Sequence, residues 1–192
     1  MSRPSKNIDV KLIELGKKRM IQSGISSLSI RSICVDAGIN LGMFYYYFKT
    51  KENFIKVLFE SFNDDLYNYW EIESLGISSS LERLKRALNV GAYLIKEKRG
   101  VAENIFKDFD FKNEAYMQTL KGIHNRWQMF YTKLVEDCKK DSFFANDVDN
   151  RCIIAMLVGS VKYYANVLEM DGAENYYEKV NAFIDFLIEK LK

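Results

Sequence analysis

Between two short apolar stripes of this 192-residue chain stands DAGIN, Asp36 to Asn40, and no other stretch constrains the fold so tightly. Upstream, Ile30, Ile33, Cys34 and Ala37 recur at i, i+3, i+4 and i+7, which is one buried helix face. Ser29 stands where an N-cap belongs, and Gly38 supplies the left-handed residue that ends a helix in a sharp turn. Downstream, Asn40 can cap a further helix from Leu41 to about Phe48. A linker this short permits only a steep crossing of two helices, which is the helix-turn-helix arrangement.

In that arrangement the second helix enters the major groove of DNA with its exposed face. With Phe44 and Phe48 pointing inward one turn apart, the opposite side presents Gly42 and Tyr46, flanked by Met43 and Tyr45, while Leu41 and Tyr47 fall nearer the core edge. Glycine lets the backbone approach closely, and tyrosine hydroxyls can donate to phosphate oxygens. Arg31, Lys49 and Lys51 add cations for the DNA backbone. The net charge of +2 conceals an imbalance: residues 1–56 hold ten basic and four acidic side chains, the other 136 hold 18 and 22. The basic part suits a polyanion. Few side chains on the exposed face can form bidentate hydrogen bonds with base edges, so apolar contacts of Met43 and Leu41 with thymine methyls, and an A·T-rich operator, are expected.

The first helix is expected from about Ile8 to Ser23, stopped by Gly24, with Ile8, Leu12, Leu15 and Met20 inward and the Lys17, Lys18, Arg19 run facing out. From Lys51 the pattern changes to long amphipathic segments, roughly 51–72, 79–98, 101–110, 113–140, 147–170 and 173–191. No strand alternation persists and the single proline is Pro4, so the chain reads as all-α: a three-helix helix-turn-helix head over residues 1–52 and a larger helical bundle for ligand binding and dimerisation over 53–192. The fourth helix, with no breaker after Lys51, is expected to join them rigidly. A composition 48% hydrophobic suffices for a packed core. The N-terminus lacks a secretory pattern, which makes the cytoplasm the expected location. Cys34, Cys138 and Cys152, odd in number and each inside a helical pattern, read as reduced, packed thiols.

In the body, the apolar stripe Ile153, Met156, Leu157, Ser160, Tyr164 and Val167 needs a partner, and Ala155 and Gly159 would let another helix come close. Together with Tyr163, and with Tyr177, Phe183, Ile184 and Leu187 of the last helix, these residues suit a four-helix interface between two copies. Intrachain packing explains the same stripe equally well. The middle helices hold Tyr93, Phe106, Phe109, Trp127, Phe130 and Tyr131, the candidates for contact with a largely apolar or aromatic small molecule, although such stripes are usually core. His124, the sole histidine, reads as filler. Neither acid/base pairs in an apolar setting, nor a phosphate-cradling loop, nor metal-ligand spacing is present, which speaks against an enzyme and implies no metal or cofactor.

The stretch from Gly24 to Phe54 resembles the signature of the tetracycline-repressor (TetR) family, matching it at Ser29, Ile30, Ile33, Ala37, Gly38, Ile39, Gly42, Phe44, Tyr45, Tyr47, Phe48, Thr50, Lys51 and Glu52. The resemblance implies an Ω-shaped homodimer, a DNA-binding head, and a C-terminal domain that binds an inducer and pairs through its last two helices. By that resemblance Tyr45, Tyr46 and Lys51 touch phosphate or bases, and Gly42 lies where the backbone nears the groove. Met43, Leu41 and Cys34 depart from the family's usual residues. The expected function is that of a ligand-responsive regulator, most simply a repressor on a palindromic operator. The alternatives are a DNA-binding regulator controlled by a protein partner, or none, and a helical interaction protein that does not touch DNA.

Overall fold

The computed structural model describes residues 7–106, 110 and 112–191, with side chains for all of these except 98–106. Every regular element among them is helical: α1 (Ile8–Ser23), α2 (Ile30–Ala37), α3 (Leu41–Phe48), α4 (Lys51–Glu73), α5 (Ser80–Phe106), α6 (Glu114–Lys140), α7 (Asn150–Ile154), a π-helical turn (Ala155–Gly159), α8 (Ser160–Met170) and α9 (Tyr176–Lys190). The expected break near Gly100 is absent, and α5 runs through it. One glycine costs a long helix only about 1 kcal/mol relative to alanine, too little to end it.

The chain divides into two compact units. One comprises Met1–Leu66 and Gly100–Ile123, so it extends beyond the expected boundary at residue 52; the other comprises Tyr67–Arg99 and His124–Lys192. The core of the first is built from Leu12, Met20, Ile33, Phe44, Phe54, Ile55 and Leu58, with Tyr116, Leu120 and Ile123 of α6 packed at its edge. The core of the second gathers Trp70, Leu84, Leu88, Leu134, Val135, Ile153, Leu157, Val161, Val180 and Ile184.

In the first unit α1 lies hard against α4. A Cβ on Gly16 would meet Phe54 Cζ at 2.6 Å and Leu58 Cδ2 at 2.7 Å, so only glycine admits this approach. The next residue corrects the expected outward basic run: Lys17 is only 8% exposed, and its ammonium binds Glu14 at 2.6 Å and Asp65 of α4 at 2.9 Å. Burial alone would lower its pKa, but the hydrogen bonds with Glu14 and Asp65 outweigh burial and raise it above the ordinary 10.5. This contribution to stability is fully present below the ordinary pKa and is lost as pH climbs through the folded one. Arg19 is likewise engaged, with Asp36, and Lys11 donates to the Ala37 carbonyl at 3.0 Å, where a cation meets the negative end of α2.

The thiols divide as well. Cys34 and Cys138 are buried, and burial pushes both up in pKa, whereas Cys152 is exposed and is not the packed thiol expected. In its helix Ile153, Leu157, Val161 and Ala165 are buried at strict four-residue spacing. On an α-helix that spacing drifts by about 40° per step. The π turn at Ala155–Gly159 takes up the drift and keeps the four on one side.

Replacing Gly16 with alanine is expected to destabilise the protein by about 1–3 kcal/mol through overpacking against Phe54 and Leu58, read as a lower urea midpoint at unchanged m-value.

Candidate nucleic-acid interface and the helical body

The recognition helix is set by local chemistry at both ends of α2 and at its own start. Ser29 Oγ accepts from the Ser32 N–H at 3.3 Å and caps α2. Gly38, at φ 72° and ψ 34°, closes α2: its N–H donates to the Val35 carbonyl, and the Ile39 N–H to the Cys34 carbonyl, both at 3.0 Å. Two residues later Asn40 Oδ1 accepts from the Met43 N–H at 2.9 Å and starts α3.

Packing then fixes the roll of α3. Phe44 is 0% and Phe48 5% exposed. Together with Phe54 of α4 they form a triangle of rings with centroid separations of 5.2, 5.0 and 4.7 Å. With that side held, Gly42, Tyr45 and Tyr46 are exposed, the two rings at 46% and 66%. Met43 is half-buried, and Leu41 and Tyr47 pack at the edge of the core. Arg31 and Lys49 are exposed and Lys51 half-buried. The structure thus brings the expected nucleic-acid residues onto α3 and its flanks. Two residues that the sequence reading missed support them: Thr50 Oγ1 accepts from the Asn53 N–H at 3.0 Å, and Asn53 Nδ2 donates to the Phe48 carbonyl at 3.0 Å. A threonine three residues before a polar side chain, just ahead of an apolar run, was the available signal.

Residues 12–58, from α1 to the first turns of α4, match the profile described as bacterial regulatory proteins, tetR family. The chain belongs to the TetR family. It is 26% identical over 143 residues, 72% of this chain and 68% of the relative, to the HTH-type transcriptional repressor KstR2 of Rhodococcus jostii (strain RHA1). Its fold is similar to that of the regulator FadR from Bacillus subtilis in complex with stearoyl-CoA, with TM-score 0.71 and 16% identity over 93% of this chain and 97% of that one. It also resembles the ketosteroid regulator KstR2 of Mycobacterium tuberculosis, with TM-score 0.60 and 15% identity over 100% and 97%.

In the second unit of this TetR-family chain, three of the residues expected to meet a small molecule come together. Trp127 stacks on Tyr67 at 4.4 Å, Phe130 meets Trp70 edge-on at 4.6 Å, and Tyr131, buried, donates to the Ala87 carbonyl at 3.3 Å. Burial drives the Tyr131 phenol far above its ordinary pKa, so it acts as a neutral donor. Arg126 lies over the Tyr67 ring at 4.1 Å, and Arg83 over Trp70 at 5.6 Å. Tyr67 and Trp70 lie on α4, where the reading of separate helices gave no cue that they would join this cluster. Tyr93 stands apart, stacked on Tyr69 at 5.2 Å in a groove of ≈ 470 Å³ that is charged, with Glu73, Lys85, Arg86 and Asp185 on its walls. Phe109 lies outside the described residues, as does the side chain of Phe106. His124 and Gln128 line an open groove on α6.

The residues expected between two copies divide by exposure. Ala155, Met156, Gly159 and Tyr163 are exposed along one helix face, continued by Cys152 and Met170. Phe183 and Leu187 are half-buried, and Tyr177, exposed, donates to Glu97 at 3.0 Å. Ile184 is a correction: at 1% exposure it belongs to the subunit's own core, and the exposed ring of α9 is Phe186. The Ile153 and Leu157 part of the expected stripe is core as well. Among the described residues, Asn150–Met170 is long and apolar enough to cross a membrane, and 33% of its apolar window is buried in the fold.

Gly38→Ala is expected to cost about 1 kcal/mol through its positive φ, since no atom lies within 4 Å of the added Cβ, whereas Gly38→Asn costs less because asparagine tolerates this conformation; thermal unfolding of the two variants separates them.

Proposed function

We propose that this TetR-family DNA-binding regulator is a repressor that binds a palindromic operator as a homodimer and leaves it when a largely apolar small molecule occupies the helical body. One observation carries the DNA half of this reading: the phenylalanine side of α3 is sealed in the core, and its other side offers Gly42, Tyr45 and Tyr46 beside Arg31 and Lys51. Phenols and cations supply phosphate contacts, and Met43 with Leu41 supplies apolar contact to thymine methyls. Such a protein works where the DNA is, in the cytoplasm.

The homodimer is supported by the exposed apolar face of Met156, Tyr163 and Met170 with Phe186 on α9, a surface that is costly to leave in water. Ala155 and Gly159 on the same face allow close helix approach. An isologous pairing also gives two heads for two half-sites, about 34–36 Å apart on the duplex. The ligand class is supported by the ring cluster of Tyr67, Trp70, Trp127, Phe130 and Tyr131, and by the company this chain keeps: FadR holds stearoyl-CoA, and the mycobacterial KstR2 is a ketosteroid regulator. Both ligand types present a large apolar body. Linkage requires the ligand to bind the DNA-incompetent state more tightly than the competent one.

Selection from random DNA should return palindromes with A·T-rich half-sites. On the selected duplex, Lys51→Ala should weaken binding to every sequence and lower the salt slope by about one unit, while Met43→Ala should relax sequence preference. G·C-rich half-sites, or an unchanged slope, would remove those two assignments. Long-chain acyl thioesters and sterols, titrated against tryptophan fluorescence, should quench the signal and release the duplex. If none alters DNA affinity, the small-molecule half of the proposal falls while the DNA half stands.

A further inference from the structure

At the C-terminal end of α3 the backbone does something costly. Lys49 has φ 63° and ψ −50°, and the Thr50 N–H donates to the Phe48 carbonyl at 2.7 Å. That is a γ-turn of the positive-φ kind, which is rare and strained for a residue with a Cβ. Such strain persists only where the surroundings over-determine it, and it gathers at functional positions. Here the surroundings are on the page. The Lys49 N–H donates to the Tyr45 carbonyl at 3.1 Å, Asn53 Nδ2 holds the Phe48 carbonyl from the far side, and the Phe48 and Phe54 rings pin the two ends of the turn.

A chain that needed only the turn would place glycine there. Lysine adds a side chain that folds back: its ammonium donates to the Tyr46 carbonyl at 2.9 Å and lies 5.3 Å from the centroid of the Tyr46 ring. Tyr47 meets the same ring edge-on at 5.4 Å. Tyr46, the more exposed of the two solvent-facing phenols on α3, is thereby held through its backbone and its ring.

We propose that Lys49 is a positioning residue of the DNA-binding face: it acts through Tyr46, holding that phenol ready for a backbone phosphate of duplex DNA, instead of meeting a phosphate itself. The inference rests on the DNA-binding reading of α3. Holding the ring before contact lowers the ordering cost of binding, and the positive charge beside it strengthens the hydroxyl as a donor to an anion. Lys51, on the next helix, remains a cation for phosphate in its own right.

Four variants test the assignment with the duplex selected by the wild-type protein and, at low salt, with a mixed-sequence duplex. Lys49→Gly relieves the strain and removes the ammonium: its melting temperature should rise by about 2–4 °C while affinity falls about tenfold. Lys49→Met keeps the strain and should show the same loss of affinity without the rise. Lys49→Arg, which can reach both the carbonyl and the ring, should restore binding. Lys49→Met combined with Tyr46→Phe should bind no more weakly than the tighter-acting single change, with the wild-type salt slope. Wild-type affinity in Lys49→Gly overturns the proposal, as does a Lys49→Met variant whose salt slope drops by about one unit and whose effect adds to that of Tyr46→Phe, because both results describe a lysine that does not act through the ring. A wild-type chain that shifts no duplex overturns this inference together with the reading beneath it.

Discussion

The triangle of Phe44, Phe48 and Phe54 is the contact on which the head depends. Two of its rings belong to a helix of only eight residues, too short to persist in water by its own hydrogen bonds. Burying those rings supplies what propensity cannot, and it also sets the roll of the helix. Once the roll is fixed, every other side chain on α3 has an assigned direction. Exposure of Gly42, Tyr45 and Tyr46 is thus a consequence of aromatic packing on the opposite side. The close approach at Gly16 serves the same core from the other side, since Phe54 and Leu58 fill the space that a Cβ would need.

Electrostatics in the head is less simple than its excess of basic residues suggests. Lys11, Lys17 and Arg19 are committed within the unit, to the end of α2, to Glu14 and Asp65, and to Asp36. The cations beside the recognition helix are therefore Arg31, Lys49 and Lys51, and of these Lys49 is turned toward Tyr46. Much of the basic balance builds the head, and a smaller share faces the polyanion.

What could be read in the sequence was what local chemistry decides. The limits of α1, α2 and α3, the caps at Ser29, Gly38 and Asn40, and the inward phenylalanines follow from spacing and from residues that act on their immediate neighbours. What escaped depends on partners far along the chain. Lys17 turns inward because Asp65, 48 residues away, meets it. Tyr67 and Trp70 reach Trp127 and Phe130 from another helix. Ile184 was assigned outward because one amphipathic stripe serves an intrachain core and an intermolecular contact alike. The Lys49 turn was hidden for another reason: lysine carries no signal for positive φ, and only the hydrogen bonds around it reveal the conformation.

The π turn at Ala155–Gly159 has a bearing on how this helix tolerates changes of length. It holds one residue more than an α-helical path would use, and the buried series through Leu157 and Val161 is in phase only because of that extra residue. Deleting a single codon there would restore regular winding and rotate everything after it by about 100°. Ala165 and Leu168 would swing out of the core, and Tyr163 with Met170 would leave their shared outer face. Substitutions along α8 can be absorbed one at a time, but a frame of helical phase cannot be repaired by any single exchange, so length is the more tightly held property of this segment.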